Sequence, residues 1–177
     1  SGSRHTVYEE KGWIRDVERL TRDAVGRRQR VLGLCFGAQL IAQAFGGEVR
    51  RADRWEAGAR RVTVLRGDLF PEGGSYDVCQ LHRDAVVRTP AGAEVLGSSP
   101  GCAVELFRMP NVLAVQGHPE MPSDAVELLV RTRTPEIISK EEADEAFQSL
   151  QDFPPPDPSA HHHPNPLRAL CSAFLHD

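Results

Sequence analysis

The chain has 177 residues, of which 40% are hydrophobic and 26% charged, and this is the composition of one ordinary globular domain. Its 21 Lys and Arg against 25 Asp and Glu give a net charge of −4, and no long basic run is present to follow a phosphate backbone, so no nucleic-acid partner is expected. The longest apolar stretches, such as residues 112–115, fall far short of the ~20 residues of a membrane span, so no membrane association is expected.

The four cysteines, Cys35, Cys79, Cys102 and Cys171, are too sparse for a disulfide scaffold and lack the spacing of zinc ligands. They are predicted to be reduced thiols. Residues 1–10 are polar and lack the apolar core of a secretory signal. Together these features predict a cytoplasmic protein.

The first predicted helix covers residues 10–25. Its apolar side chains recur at helical spacing along one face, namely Trp13, Val17, Leu20 and Ala24. Gly26 is expected to end the helix in the left-handed conformation. The run 31–34 is apolar on both faces, as in a buried parallel strand, and a second helix follows it until Gly46 and Gly47.

The middle of the chain carries closely spaced strand candidates. They are residues 61–65, 76–81, 86–88, 94–98, 104–108 and 112–116. Turns rich in Gly, Pro and Asn separate them and leave no room for crossover helices, so part of this region is predicted to be antiparallel.

The last part of the chain returns to helix. Residues 123–133 and 139–150 are predicted helices, the second opened by a capping box at Ser139 and Glu142. Residues 153–166 are rich in proline and predict a loop, and residues 167–175 a final helix. The whole pattern indicates the α/β class.

The most informative motif is Gly33-x-Cys35-x-Gly37, between the buried strand and the second helix. A nucleophile on such a turn is exposed at a helix N-terminus, where the dipole stabilises a thiolate, and glycines two residues away let the backbone approach closely. Because most free cysteines are simply small buried side chains, Cys35 as a packing residue is the competing interpretation.

A second motif follows another buried strand, in the order His118-Pro119-Glu120. Functional groups collect at the carboxyl ends of parallel strands, so Cys35 and His118 are expected to meet. His118 would then deprotonate Cys35 and protonate a leaving amine, while Glu120 would orient the imidazole.

On these two motifs, with Gln39 and the Gly46-Gly47 pair, the sequence resembles the class I glutamine amidotransferases, which include γ-glutamyl hydrolases and peptidases. The resemblance implies a flavodoxin-like open sheet, mostly parallel and flanked by helices, with an added antiparallel region. It also implies that Cys35 attacks the side-chain amide of glutamine or of a γ-glutamyl compound, that a thioester forms, and that no metal or organic cofactor is needed.

The resemblance extends to the segment between the motifs and implies three substrate-binding residues. His82 and Asp84 would lie beside the substrate pocket, and Gln39 near the bound glutamyl group. For His82, a surface or packing histidine is an equally good interpretation. Glu105, in a matching strand, is equally well explained as a solvated residue.

The resemblance further implies an oxyanion hole formed by the backbone N–H groups of Gly2 and Phe36. Members of the family have two or more strands before this loop. Since one βα unit takes about thirty residues, roughly fifty or more residues are expected upstream of this chain.

Residues 1–151 are therefore expected to form a glutamine amidotransferase-like domain lacking its N-terminal strands, and residues 152–177 a proline-rich extension ending in a helix. The triplet 161–163 is histidine throughout, but three adjacent side chains do not converge on one ion, so no metal site is predicted. Three functions stay open: a stand-alone hydrolase, a glutaminase subunit that delivers ammonia to a separate synthase, and a non-catalytic binding module of the same fold.

Overall fold

The computed structural model describes residues 1–66, 74–133, 135–152 and 166–176, and within them six strands form one mixed sheet. The strands are β1 (Val31–Leu34), β2 (Glu48–Val64), β3 (Ser75–Arg88), β4 (Glu94–Ser98), β5 (Leu106–Met109) and β6 (Val112–Val115). The helices are α1 (Gly12–Gly26), α2 (Phe36–Ala44), α3 (Ser123–Arg133), α4 (Lys140–Gln151) and α5 (Pro166–His176). Within the described ranges, no helix combines the length and apolar character that crossing a bilayer requires.

The sheet has the order β1-β6-β5-β4-β2-β3, and with the flanking helices it confirms the α/β class. The proportion of parallel pairs is lower than expected of a mostly parallel sheet. Among the described strands only β1 and β6 pair in parallel, and the other four pairings are antiparallel. The reason is that β3, β4, β5 and β6 follow one another without a helix between them, whereas a parallel pair needs a long crossover. The outer edge of β1 has no partner strand in the described part of the chain, and the further strands expected upstream stay a prediction.

β2 and β3 form a long hairpin, with strands of 17 and 14 residues. The sequence pattern predicts only three short segments of it as strands, residues 61–65, 76–81 and 86–88. The missed first half of β2 is rich in arginine and contains a register shift between Arg51 and Glu56. Its apolar alternation is interrupted there, so cross-strand backbone pairing, which leaves no mark in the sequence, defines this part of the hairpin.

The helix α1 forms where it is predicted, but it buries a different face. Ile14 and Glu18 are buried, while Trp13, Val17 and Leu20 are exposed. The predicted apolar face is therefore wrong, because contacts with α2 select the stripe that carries Ile14 and Glu18. Glu18 accepts a hydrogen bond of 2.7 Å from the side chain of a glutamine on α2, which compensates its burial.

The residues at the ends of α1, α2 and α4 agree only in part with the predicted caps. Gly26 stays helical, and Arg28, with φ of 61°, takes the left-handed conformation expected of that glycine. Gly46, two residues after the end of α2, does take the left-handed conformation, with φ of 82°. At α4 the predicted capping box is confirmed: Ser139 Oγ accepts from the Glu142 N–H, and the Glu142 carboxylate accepts from the Ser139 N–H.

The core lies on both faces of the sheet, as the apolar run in β6 predicts. Val112 and Ala114 pack in the cluster that contains α2, and Leu113 and Val115 pack in the cluster that contains α5. The predicted last helix is thus present and contributes to the core. The expected proline-rich loop and the histidine triplet fall in residues 153–165, outside the described residues.

Candidate active site

Cys35 occupies a sharp turn between β1 and α2, as its motif predicts. Its φ of 49° and ψ of −108° are strained for a residue with a side chain. The N–H of Cys35 donates to Val115 O on β6 at 2.8 Å, which ties the turn to the neighbouring strand. A Cβ at Gly33 would lie only 2.7 Å from the backbone of Gly37, so the close approach of strand and helix requires glycine there.

His118 follows the end of β6 and is held at both its backbone and its ring. Its N–H donates to Cys79 O at 2.8 Å, and its Nδ1 lies 2.9 Å from Glu120 Oε1. The ring is buried, and it lies beside the Cys35 side chain. The structure therefore brings together the three predicted residues Cys35, His118 and Glu120.

His118 and Glu120 each stabilise the charged form of the other. Burial alone would lower the pKa of His118, but hydrogen bonding to Cys35 and Glu120 outweighs it and raises the pKa to about 9. Burial would raise the pKa of Glu120, but His118 and the Ser1 hydroxyl, which donates at 2.6 Å, lower it to about 2. At neutral pH His118 is therefore an imidazolium that pairs with the Glu120 carboxylate and lies beside the Cys35 side chain.

The turn that carries His118 and Glu120 also contacts the last helix. Arg168 Nε on α5 donates a hydrogen bond to Pro119 O, between the two predicted residues. Leu167, beside it in sequence, is fully buried and anchors α5 in the core. No sequence spacing relates a residue near the C-terminus to this turn, so this support is visible only in three dimensions.

A cavity of about 390 Å³ opens beside Cys35. Five of the residues that line it are predicted site residues, namely Cys35, Phe36, Gln39, His82 and Asp84. Side chains that the sequence does not single out complete the wall, including Arg4, Arg51, Trp55, Arg83, Arg133 and Ile137. These come from the N-terminal loop, the β2–β3 hairpin, the end of α3 and the connection that follows it, so no local motif could have identified them.

Gln39 and His82 are buried and share one acceptor. Gln39 Nε2 donates to Asp84 O at 2.7 Å, and His82 Nδ1 lies 3.1 Å from the same oxygen. Burial and the charge of His118 lower the pKa of His82 to about 3, so its ring is neutral. Since Nδ1 then donates to the carbonyl, Nε2 is an acceptor, and it is buried without a hydrogen-bond partner among the described residues. His82 is therefore not a surface residue.

Asp84 is buried and already has two polar neighbours. Its Oδ1 accepts from the Tyr8 hydroxyl at 3.2 Å and from Arg51 Nε at 3.3 Å. Burial, followed by the charge of Asp84, raises the pKa of Tyr8. The cavity thus contains a paired carboxylate and guanidinium, of which the sequence predicts only the first.

The two predicted oxyanion donors lie next to Cys35 and His118. A Cβ at Gly2 would lie 3.3 Å from Cε1 of His118, so this loop passes directly over the imidazole. Phe36 is the first residue of α2, and its N–H has no acceptor within the helix. Their role at an oxyanion stays a prediction.

Glu105 is buried, which excludes the solvated alternative. Ser99 Oγ and Gln80 Nε2 each donate to its carboxyl oxygens at 2.7 Å. Burial outweighs these hydrogen bonds and raises the pKa of Glu105 to about 7. The described residues contain no group of His, Cys, Asp and Glu side chains arranged to hold a metal ion.

With this fold and this site, comparison with known proteins defines the class. The family model of the class I glutamine amidotransferases matches residues 7–128, and the chain belongs to this family. The structure of a glutamine amidotransferase from Thermotoga maritima superposes with a TM-score of 0.75 and 19% identity, over 99% of this chain and 76% of that one, and it shows the same fold.

Two curated relatives differ in the activity that their names give. Gamma-glutamyl peptidase 2 of Arabidopsis thaliana is 31% identical over 183 residues, which cover 99% of this chain and 71% of the relative. One of the subunits of the glutamine-hydrolysing GMP synthase of Sulfolobus acidocaldarius is 38% identical over 94 residues, which cover 51% of this chain and 50% of that protein. The chain that carries this site is thus similar both to a gamma-glutamyl peptidase and to a subunit of a glutamine-hydrolysing enzyme.

Proposed function

We propose that the protein is a cysteine-dependent hydrolase of γ-glutamyl amides. The observation that carries this proposal is Cys35 on a strained turn at a helix N-terminus, beside a buried His118 whose imidazolium is held by Glu120. This arrangement has the nucleophile, the proton carrier and the orienting acid of a catalytic triad.

The proposed reaction follows from the position of each group. The sulfur of Cys35 attacks the γ-carbonyl carbon, and the N–H groups of Gly2 and Phe36 stabilise the oxyanion, where each such donor contributes ~3–4 kcal/mol in the transition state. His118 protonates the leaving amine as the C–N bond breaks, and a thioester remains. His118 then takes a proton from water as the water oxygen attacks the thioester carbon, and the C–S bond breaks to release glutamate and return the Cys35 thiolate.

The residues of the cavity serve the glutamyl head group in this proposal. An α-amino acid head carries an ammonium and a carboxylate, and burying either without a partner would cost ~1–3 kcal/mol or more. The Asp84 carboxylate accepts from the ammonium, and Arg51, already 3.3 Å from it, offers donors to the carboxylate. Gln39 and His82 position the backbone of Asp84 through its carbonyl oxygen.

The direct test measures release of glutamate by the purified protein from glutamine and from a panel of γ-glutamyl peptides. We expect turnover of at least one of them without any added metal, with a covalent glutamyl adduct on a peptide containing Cys35 detectable by mass spectrometry after rapid quenching. Absence of both turnover and binding across the panel would contradict the proposal and favour the non-catalytic module.

Replacing Asp84 with asparagine is expected to raise KM for a γ-glutamyl substrate by about 10-fold or more, because the ammonium loses a charged acceptor. A thiol-directed electrophile without an amino acid head should react at an unchanged rate. Asp77→Asn is the matched control, since Asp77 lies on the same strand and pairs with Arg61 outside the cavity. Equal losses for substrate and electrophile would show that Asp84 supports the fold instead.

A second candidate is a glutaminase subunit that supplies ammonia to a separate synthase. It is favoured by the similarity to a GMP synthase subunit from Sulfolobus. A protein of this kind is expected to hydrolyse glutamine slowly alone and faster with its synthase, whereas a stand-alone peptidase turns over peptides unaided.

All four cysteines are free in the described structure, which supports a reducing compartment, and we place the reaction in the cytoplasm.

A further inference from the structure

The cavity beside Cys35 is strongly cationic. Four arginines line it, namely Arg4, Arg51, Arg83 and Arg133. Among the described residues, Asp84 is the one carboxylate in that lining. Charge complementarity therefore favours a ligand with more than one negative group.

Two of these arginines already have local partners. Arg51 pairs with Asp84 at 3.3 Å, and Arg83 donates to the carbonyl oxygens of Ala52 and Asp53 at 3.1 and 3.0 Å. Their positions are therefore fixed by the protein itself. A ligand is not needed to explain them.

Arg133 differs from both. It lies in the last turn of α3, is partly buried, and makes no ion pair with any described residue. Partial burial and the charge of Arg4 lower its pKa, while Cys35 acts in the opposite direction, so its guanidinium lies within electrostatic reach of the nucleophile. A partly desolvated cation in the wall of a cavity, with no carboxylate partner in the described part of the chain, is poised to bind an anion.

The chemistry of the substrate indicates which anion this is. Glutamine has one carboxylate, on its head group, and the Asp84 and Arg51 pair already complements that head. A γ-glutamyl peptide has a second carboxylate, on the amine that leaves after Cys35 attacks. Arg133 lines the same cavity but does not belong to the Asp84 and Arg51 pair, so it is available to the leaving group once the head group occupies that pair.

We propose that Arg133 binds the carboxylate of the leaving amine and selects γ-glutamyl peptides with a free carboxylate over glutamine. This inference rests on the proposed function and deepens it. It adds no bond-making step: the same C–N bond breaks and the same proton moves from His118 to the amine. Arg133 acts on binding of the substrate, through a bidentate ion pair.

The test compares γ-glutamylglycine, its neutral analogue γ-glutamylglycinamide, and glutamine. In the unmodified protein, kcat/KM for the acid is expected to exceed that for the amide by about 10-fold or more, since an ion pair with hydrogen bonds is lost. Arg133→Gln should remove most of this preference and change kcat/KM for glutamine by less than about 3-fold. Arg131→Gln is the matched control, because Arg131 is exposed on the same helix and pairs with Glu127.

The outcomes separate this inference from the proposed function. If the unmodified protein hydrolyses acid and amide equally, or if Arg133→Gln slows glutamine as much as γ-glutamylglycine, the inference is overturned while the hydrolase proposal stands. If no substrate turns over, the proposed function fails, and calorimetric binding of the acid and the amide to Cys35→Ala still tests Arg133. Arg133→Lys, which keeps the charge, should restore part of the preference and excludes a simple folding defect.

Discussion

Replacing Cys35 with alanine is expected to lower the turnover of a γ-glutamyl substrate by roughly 10⁴-fold or more, because the thioester can no longer form at the turn. The free energy of unfolding should change by about 1 kcal/mol at most, since a small buried side chain replaces another and the strained backbone of the turn is unchanged. Steady-state assays and chemical denaturation measure the two effects. This variant should therefore lose its turnover and keep nearly all of its free energy of unfolding.

Cys102→Ala is the control for this variant, because Cys102 is buried in a loop away from the cavity and its loss should leave turnover intact. Alkylation provides a readout independent of substrate. Burial raises the pKa of Cys79, Cys102 and Cys171 to about 11, 12 and 11, so these thiols should react slowly at pH 7. Iodoacetamide should label Cys35 first, and faster labelling of another cysteine, or retained turnover in Cys35→Ala, would remove Cys35 from the mechanism.

Replacing Glu120 with glutamine is expected to lower kcat by roughly 10²- to 10⁴-fold. Glutamine can still accept a hydrogen bond from His118 Nδ1, but it no longer stabilises the imidazolium by charge. Hydrogen bonding to Cys35 and Glu120 holds the pKa of His118 at about 9 against the lowering effect of burial, so loss of the carboxylate should move it down towards or below its ordinary 6.5. The alkaline limb of the profile of kcat/KM against pH should shift to lower pH accordingly.

The same substitution should change how stability depends on pH. The pKa of His118 is raised on folding, so its contribution is full below about 6.5 and is lost as the pH rises through about 9. The pKa of Glu120 is lowered, so its contribution is full above about 4.5 and is lost as the pH falls through about 2. The loss of stability in Glu120→Gln should therefore be largest between about pH 4.5 and 6.5. Glu127→Gln, at a surface ion pair, is the control, and an unshifted alkaline limb in Glu120→Gln would mean that Glu120 does not act on His118.

The parts of the site that sequence predicted are those set by local backbone geometry. The turn at Cys35 requires glycines at fixed positions on either side, and this requirement leaves a readable pattern over five residues. His118 and Glu120 likewise follow directly after a buried strand. Local sequence therefore predicted that β1 and β6 would bring their carboxyl ends together, and their parallel pairing does so.

The parts that sequence missed depend on contacts between distant segments. Arg51 lies in the half of β2 whose apolar alternation is interrupted, and Arg133 lies at the end of a helix predicted only for its packing. Tyr8 meets Asp84 across 76 positions of the chain. None of these residues has a spacing relation to Cys35, because the folding of the hairpin and of α3 around the cavity creates their proximity.

The class of fold and the grouping of Cys35, His118 and Glu120 could be predicted from the sequence alone, since each depends on a short stretch whose backbone conformation and burial are encoded locally. Tertiary structure decided the rest: the predominance of antiparallel pairs among the described strands, the face that α1 buries, and the cationic wall of the cavity. The physical reason is that a pattern records which residues one segment buries, whereas electrostatic complementarity to a substrate arises only where several segments meet.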